Sequence, residues 1–280
     1  MKLSQRLALS YIKAKFKLLS SISKKKAAEK AFELFCTPQS RNKKKIPAIF
    51  STAEKLEFEM EGITIRGWRF NHPAERKVLI LHGYESSVIN FDRYIKPLIK
   101  KGYEVLAFDA PAHGRSSGKK ITAPLYKQMI LEVNKRYGPI RSYMAHSFGG
   151  LAVSLALEEI SHTGDYRLVL IAPATETTTA ISSFFKFLDL DPLLRTEFEK
   201  VIIKNGGLSS EWYSIRRAFQ HIKAKTRWFQ DEDDEITPMG DVLKVKAENY
   251  PGIEFVFTKG LGHRRIYRDN KVCRSVVEFL

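Results

Sequence analysis

The stretch Tyr143-Met144-Ala145-His146-Ser147-Phe148-Gly149-Gly150 carries a short apolar run into a serine and then into a Gly-Gly turn. Arg141 to Met144 read as a short buried strand. Leu151, Val153, Leu155, Ala156 and Leu157, followed by Glu158-Glu159, read as a helix packed against a sheet. A serine at so sharp a bend is forced into a strained backbone conformation, with its hydroxyl standing clear of both elements. Small flanking residues let strand and helix approach, which is why a nucleophile elbow is written G-x-S-x-G. Here the first glycine is Ala145, so the motif is A-x-S-x-G. The same residues also fit a serine capping an ordinary helix, and the rest of the chain has to decide.

The chain has 280 residues, 44% of them hydrophobic, enough to bury the core of one large domain or of a domain with an insertion. Cys36 and Cys273 lie far apart and match no metal or redox spacing, as expected of a cytoplasmic protein. No run reaches the ~18 apolar residues of a membrane span. Lysines scattered through MKLSQRLALSYIKAKFKLLSS, and the lack of a small-residue cleavage site, argue against a secretion signal.

The net charge of +16 is unevenly placed. Residues 1–50 hold thirteen lysines and arginines against only Glu29 and Glu33, which leaves +5 for the other 230 residues. Within this basic extension, Leu3, Leu7, Tyr11, Ala14 and Leu18 fall at helical spacing, with Ile12, Phe16 and Leu19 on an adjoining stripe. A second helix is expected from about Lys24 to Phe35. Two readings stay open: helices docked on the main domain with a solvated basic face, or a helix of residues 1–23 held weakly on anionic membrane or another polyanion. No nucleic-acid motif occurs, and nucleic acid is not expected as a partner.

Beyond Pro47 the pattern becomes that of strands. Leu56, Phe58 and Met60 alternate with glutamates, Gly62 turns the chain, and Ile63, Ile65, Trp68 and Phe70 return it, a hairpin with one buried face. Val78 to Leu81 is apolar throughout, as in a strand covered on both sides. Further strands are expected at Tyr103–Phe108, Leu168–Ala172, Arg227–Phe229 and Ile253–Phe257. Helices are expected from Asn90 to Lys101 and from Pro124 to Tyr137. Strands alternating with helices imply a mostly parallel sheet. Between Pro173 and Thr226 lie about fifty residues, more than a crossover needs. Helices at Ser182–Leu188, Leu193–Lys204 and Glu211–His221 make this an inserted cap. Its Phe184, Phe185, Phe187, Leu188, Trp212 and Tyr213 either pack as core or line a substrate pocket. The resulting division is a basic extension (1–52) and a main domain (53–280) with the cap at about 175–222.

Four motifs, LHGYESS, FDAPAHGRSSG, AHSFGG and KGLGHRRI, follow the third strand, the fourth, the elbow strand and the last. From about Glu54 to Leu280 the chain resembles the α/β-hydrolase superfamily, and within it a bacterial subgroup similar to serine aminopeptidase-like and esterase-like members. Ala145 in place of the first glycine is a variant that some bacterial lipases carry. The resemblance implies an α/β-hydrolase fold with a mostly parallel sheet flanked by helices, a helical cap and the basic helical extension. It also implies a catalytic set in the order Ser, Asp or Glu, His. Ser147 is then the nucleophile. His263, between Gly260-Leu261-Gly262 and a terminal helix, is the general base.

For the acid, Asp234-Glu235-Ile236-Thr237-Pro238 fits the family run, with Ile236 turning inward to anchor the loop. Asp233 is the alternative, and Asp231 and Glu232 read as a solvated acidic loop. The oxyanion donors implied are the backbone N–H groups of Tyr84 and Phe148. His82 is expected to be structural, His113 to shape the Asp109 loop, and His146 to point away from the chemistry. His72, His162 and His221 are left on the surface. The activity implied is hydrolysis of a carboxylic ester, thioester or small amide of a small-molecule acyl substrate, through an acyl-enzyme. A serine aminopeptidase-like enzyme would add an acidic group for the substrate amine, with Glu85 and Glu176 as candidates. The other open reading is a non-catalytic binding protein on this scaffold. No G-x-G-x-x-G or Walker A run and no i, i+4 histidine pair occurs, so neither nucleotide cofactor nor metal is expected.

Overall fold

The computed structural model describes residues 3–41 and 44–280, so Lys2 and Lys43 of the basic extension lie outside the described residues. The strands are β1 (Glu54–Met60), β2 (Ile63–Phe70), β3 (Arg76–Leu81), β4 (Tyr103–Phe108), β5 (Ser142–His146), β6 (Arg167–Ile171), β7 (Lys225–Asp231) and β8 (Ile253–Thr258). The α-helices are α1 (Leu3–Ile22), α2 (Lys24–Cys36), α3 (Asp92–Lys100), α4 (Ala123–Tyr137), α5 (Phe148–Leu157), α6 (Thr177–Leu188) and α7 (Leu194–Gly206). They continue with α8 (Ile215–Ala218), α9 (Met239–Ala247), α10 (Gly262–Arg265) and α11 (Asn270–Phe279). Two compact units result, one of residues 38–175 and 214–280, the other of residues 1–37 and 176–213.

The larger unit is built on an eight-stranded sheet in the order β1-β2-β4-β3-β5-β6-β7-β8. β1 and β2 pair antiparallel, as do β2 and β4, and every later neighbour is parallel. β1 alternates exposed glutamates with buried Leu56, Phe58 and Met60, the pattern of a strand with one wet face. β4 and β5 are buried at every residue. One face of the sheet presents Val78, Ile80, Val105, Ala107 and Met144 to Phe91, Tyr94, Tyr267 and Val276 in a single apolar core. The Tyr94 hydroxyl donates to the Tyr267 carbonyl at 2.6 Å and ties that layer to the chain beyond β8. His72 is exposed, yet its Nδ1 lies 2.8 Å from the buried carboxylate of Glu104.

The smaller unit is assembled from both ends of a long sequence gap. α2 buries Ala27, Ala28 and Ala31 completely, and these small side chains let it lie close along α7. Ser23 caps α2, its hydroxyl accepting from the Lys26 N–H at 3.3 Å. Phe198 of α7 is the hub of an aromatic core, with ring centroids 5.8, 5.9, 6.3 and 5.3 Å from Phe32, Phe35, Phe184 and Phe185. Phe184 and Phe185 are therefore packing residues of this unit, as are buried Leu188 and Tyr213, whereas Phe187 is 58% exposed.

Several expectations change here. The first inserted helix begins at Thr177 rather than Ser182. The third is a single turn, α8, because Ser214 caps it and residues 207–214 are not helical. The helices of the extension pack with the inserted helices α6 and α7. On α1 the packed side is the Ile12, Phe16 and Leu19 stripe, while Leu7, Tyr11 and Leu18 are bare.

Candidate active site

β5 ends at His146, and the chain turns so sharply into α5 that Ser147 takes φ 53° and ψ −122°. For a residue with a Cβ this region costs about 1–3 kcal/mol, so the surroundings must hold it. The Ser147 N–H donates to the Ile171 carbonyl at 3.1 Å. Its own carbonyl accepts from Gly150 and Ala174 at 2.9 and 3.0 Å. Close approach does the rest. A Cβ on Gly149 would lie 2.7 Å from the His82 carbonyl oxygen, and one on Gly150 would lie 2.6 Å from the Pro173 Cβ. Ala145, fully buried and paired with Leu81 and Leu170 on the flanking strands, fills the place of the first glycine. The serine stands at the carboxyl end of the parallel strands, 8% exposed.

His263 reaches this serine from the turn after β8. Its Nε2 lies 3.0 Å from Ser147 Oγ, and its Nδ1 lies 2.8 Å from Asp234 Oδ2. Asp234 is fixed in turn. Its Oδ1 accepts from the Ile236 and Thr237 N–H groups at 2.8 and 2.9 Å, and its Oδ2 accepts from the Thr237 hydroxyl at 2.8 Å. Burial works against its charge, but the hydrogen bond and charge of His263 together with the Thr237 bonds outweigh it. The carboxyl is held below the usual range. The three residues expected from the sequence are thus brought into one line.

The same loop corrects two expectations. Ile236 is 52% exposed and anchors nothing; Thr237 turns inward instead, because its hydroxyl and N–H both serve the Asp234 carboxylate. Asp231 is not part of a solvated loop but fully buried at the end of β7. It accepts from the Thr258 hydroxyl at 2.7 Å and from the Leu261 and Gly262 N–H groups at 3.0 and 2.8 Å, pinning the turn that presents His263. Burial opposes its ionisation, and these bonds overcome that, so its carboxyl also lies below the usual range. Asp233 accepts from the Gly260 N–H at 3.0 Å on the same turn. Glu232 is exposed as expected, 3.6 Å from the Lys259 ammonium.

Opposite Ser147, the loop after β3 is clamped by two histidines. His82 Nδ1 donates to the Gly83 carbonyl at 2.7 Å, and its Nε2 accepts from the Ala110 N–H at 2.9 Å. His113 returns the arrangement from the other loop. Its Nδ1 donates to the Pro111 carbonyl and its Nε2 accepts from the Glu85 N–H, both at 2.9 Å. An acceptor nitrogen on each ring requires the neutral form. Burial pushes His82 down to about 4, and burial with the neighbouring His82 pushes His113 down to about 3. Asp109, raised by burial, accepts from the Ser87 hydroxyl at 2.6 Å and from the Val88 and Arg115 N–H groups. Gly83 is pressed so near the serine that a Cβ there would be 2.7 Å from Ser147 Cβ. Tyr84 follows Gly83, Phe148 follows Ser147, and their rings meet edge to face at 6.4 Å.

His146 does not point away from the site. Its Nε2 donates to the His263 carbonyl at 3.1 Å, and its ring lies 4.8 Å from that of His263 and 4.6 Å from Tyr267. Burial, then the nearby His263, push it down to about 3. Strand parity was the available signal: Met144 and His146 share a face of β5, and Met144 sits in the core beside Phe91 and Tyr267. Of the two acidic candidates for an amine pocket, Glu85 accepts from the Gln39 N–H at 2.7 Å. Glu176 is the N-cap residue of α6 in the smaller unit. Among the described residues no group of three or more His, Cys, Asp or Glu is gathered to hold a metal.

The sheet order, and the strand ends from which these loops leave, are those of an α/β-hydrolase. A family model described as serine aminopeptidase, S33, matches residues 72–241, and the chain belongs to that family of hydrolases. An uncharacterized hydrolase of Bacillus subtilis, YugF, is 23% identical over 107 residues, a stretch covering 36% of this chain and 39% of that protein. Among solved structures, the Pyrococcus furiosus esterase Pf2001 superposes with a TM-score of 0.64 at 24% identity, over 88% of this chain and 97% of its own. Mouse alpha/beta hydrolase domain-containing protein 10 gives 0.58 at 17% identity, over 80% and 96%. At such identities the structural likeness bears on the fold.

Proposed function

We propose that this hydrolase cleaves a carboxylic ester or thioester of a small-molecule acyl substrate through an acyl-enzyme on Ser147. The observation that carries the proposal is the unbroken line from Ser147 Oγ to His263 Nε2 at 3.0 Å and from His263 Nδ1 to Asp234 Oδ2 at 2.8 Å. A serine hydroxyl is a weak nucleophile, and a base at hydrogen-bond distance is what activates it. His263 takes the proton as Oγ attacks the acyl carbon. Asp234 holds Nδ1 protonated and stabilises the imidazolium. The negative oxygen that forms is received by the N–H groups of Tyr84 and Phe148, on a loop and a helix start that the buried histidines and glycines keep in place. The imidazolium then protonates the leaving group, and a water activated by the same histidine releases the acid. Ester cleavage is the activity named for the Pyrococcus neighbour. An amine-recognising carboxylate, as an aminopeptidase needs, has less support, since Glu85 is engaged by the Gln39 N–H.

The test is pre-steady-state kinetics with p-nitrophenyl esters and acyl thioesters of graded chain length. A burst of p-nitrophenolate matching the enzyme concentration, followed by slower turnover, is expected. Turnover of aminoacyl amides with no burst and no turnover of any ester or thioester would overturn the proposal.

A further inference from the structure

α1 is apolar on two faces, centred roughly 120° apart around the helix. One, with Phe16 buried and Ile12 and Leu19 partly so, packs within its own unit on α2 and α6. The other is bare, with Leu7, Tyr11, Leu18 and Ile22 exposed by 64, 68, 65 and 72%. At about 100° per residue these four fall within roughly 60° of arc, a narrow stripe along most of the helix. Lys15 borders it on one side, Lys17 and Arg6 lie beyond Ala14, Ser10 and Ser21 on the other, and Lys24, Lys25 and Lys26 follow where α2 begins. No acidic residue precedes Glu29. The same unit also exposes Phe187, Leu193, Ile203 and Leu208. It therefore holds eight of the twelve large apolar side chains exposed among the described residues.

An isolated exposed leucine needs no explanation, but a continuous stripe with a cationic border does. A second copy of α1 laid on this stripe would set lysines against lysines with no carboxylate between them. A surface with negative groups around an apolar interior answers both features, and lysine stems can lie along it with the ammonium groups reaching outward. α1 itself is not apolar enough to cross a membrane. We infer that α1 is an interfacial helix that docks this unit on the surface of an anionic lipid bilayer, its Leu7–Ile22 stripe entering the headgroup boundary.

The intact protein should be sedimented with vesicles of phosphatidylcholine alone and with vesicles containing about a third phosphatidylglycerol, at low and high salt. Binding to the anionic vesicles at low salt is expected, weakened about tenfold or more at high salt as screening removes the charge attraction. A Leu7→Glu, Leu18→Glu double variant should lose about tenfold or more of that binding, because it removes the stripe and adds repulsion. Replacing Arg6, Lys15 and Lys17, all exposed, by Gln should abolish the preference for anionic over neutral vesicles. Both variants change exposed or border positions, so circular dichroism and vesicle-free ester turnover should match the parent. No binding to anionic vesicles at low salt, or undiminished binding by the double variant, overturns the inference. So does a concentration-dependent dimer lost in the double variant without any vesicle binding, which would make the stripe a contact between copies.

Discussion

Asp231, Asp233 and Asp234 lie within four positions and engage different groups, so amide substitutions should separate them. Asp234→Asn removes the acceptor that fixes the His263 tautomer and should lower kcat by roughly 10⁴-fold at neutral pH. Asp233→Asn should leave kcat within a few-fold, and Asp231→Asn should act mainly on stability, since its carboxylate holds backbone N–H groups of the 261–262 turn. Steady-state kinetics with circular dichroism on all three decides this, and a crippled Asp233→Asn beside a normal Asp234→Asn would move the acid by one position. Gly83 allows an independent check on the geometry. An added methyl 2.7 Å from Ser147 Cβ must displace loop or serine, so Gly83→Ala should lose about 10²-fold or more in kcat with the fold intact. Ser147, Asp234 and His263 were legible in the sequence because each sits in a local motif at a strand end. Asp231 was not, because its partner Gly262 lies 31 positions away and only the closed sheet brings them together; for His146, whose partner His263 lies 117 positions away, the parity of β5 was the one local signal.

At the scale of elements, buried strands announce themselves by unbroken apolar runs, and β3 and β5 were readable for that reason. Helix α1 shows the limit of the same logic. It carries two apolar stripes of similar width, and periodicity alone does not say which one the protein covers; the set with Phe16 is packed because α2 and α6 meet it. The short α8 escaped detection because residues 209–214 hold a turn and a serine cap where helical spacing suggested continuation. The aromatic core around Phe198 gives this scale its prediction. Phe198 is fully buried, so Phe198→Ala should destabilise its unit by about 3–5 kcal/mol. Hydrogen exchange should show protection lost first in α2, α6 and α7. Loss beginning in β3 to β6 instead would mean that Phe198 is not the hub of that unit.

The whole molecule joins the first 37 residues to an insertion nearly 140 positions later, a pairing that no local pattern encodes. It also buries three neutral histidines, His82, His113 and His146, held down to about 4, 3 and 3 against the usual 6.5. Below pH 6.5 the unfolded chain takes up protons that the folded chain refuses, so stability is full above 6.5 and falls progressively towards pH 4 and 3. The loss is on the order of 3 kcal/mol for His82 and about 5 kcal/mol for each of the other two once the window is crossed. Asp109, raised by burial, works in the opposite direction over the carboxylate range. Urea midpoints should therefore drop between pH 7.5 and 5, with a shallower drop in His113→Asn; equal slopes in parent and variant would remove the clamp from the explanation. The most direct test of the central claim is covalent. A fluorophosphonate should add one phosphonyl group to the intact chain, located on Ser147 by peptide mass, and Ser147→Ala should remain unlabelled with kcat down by roughly 10³-fold or more. Equal labelling of Ser147→Ala, or a label on another residue, would contradict the account.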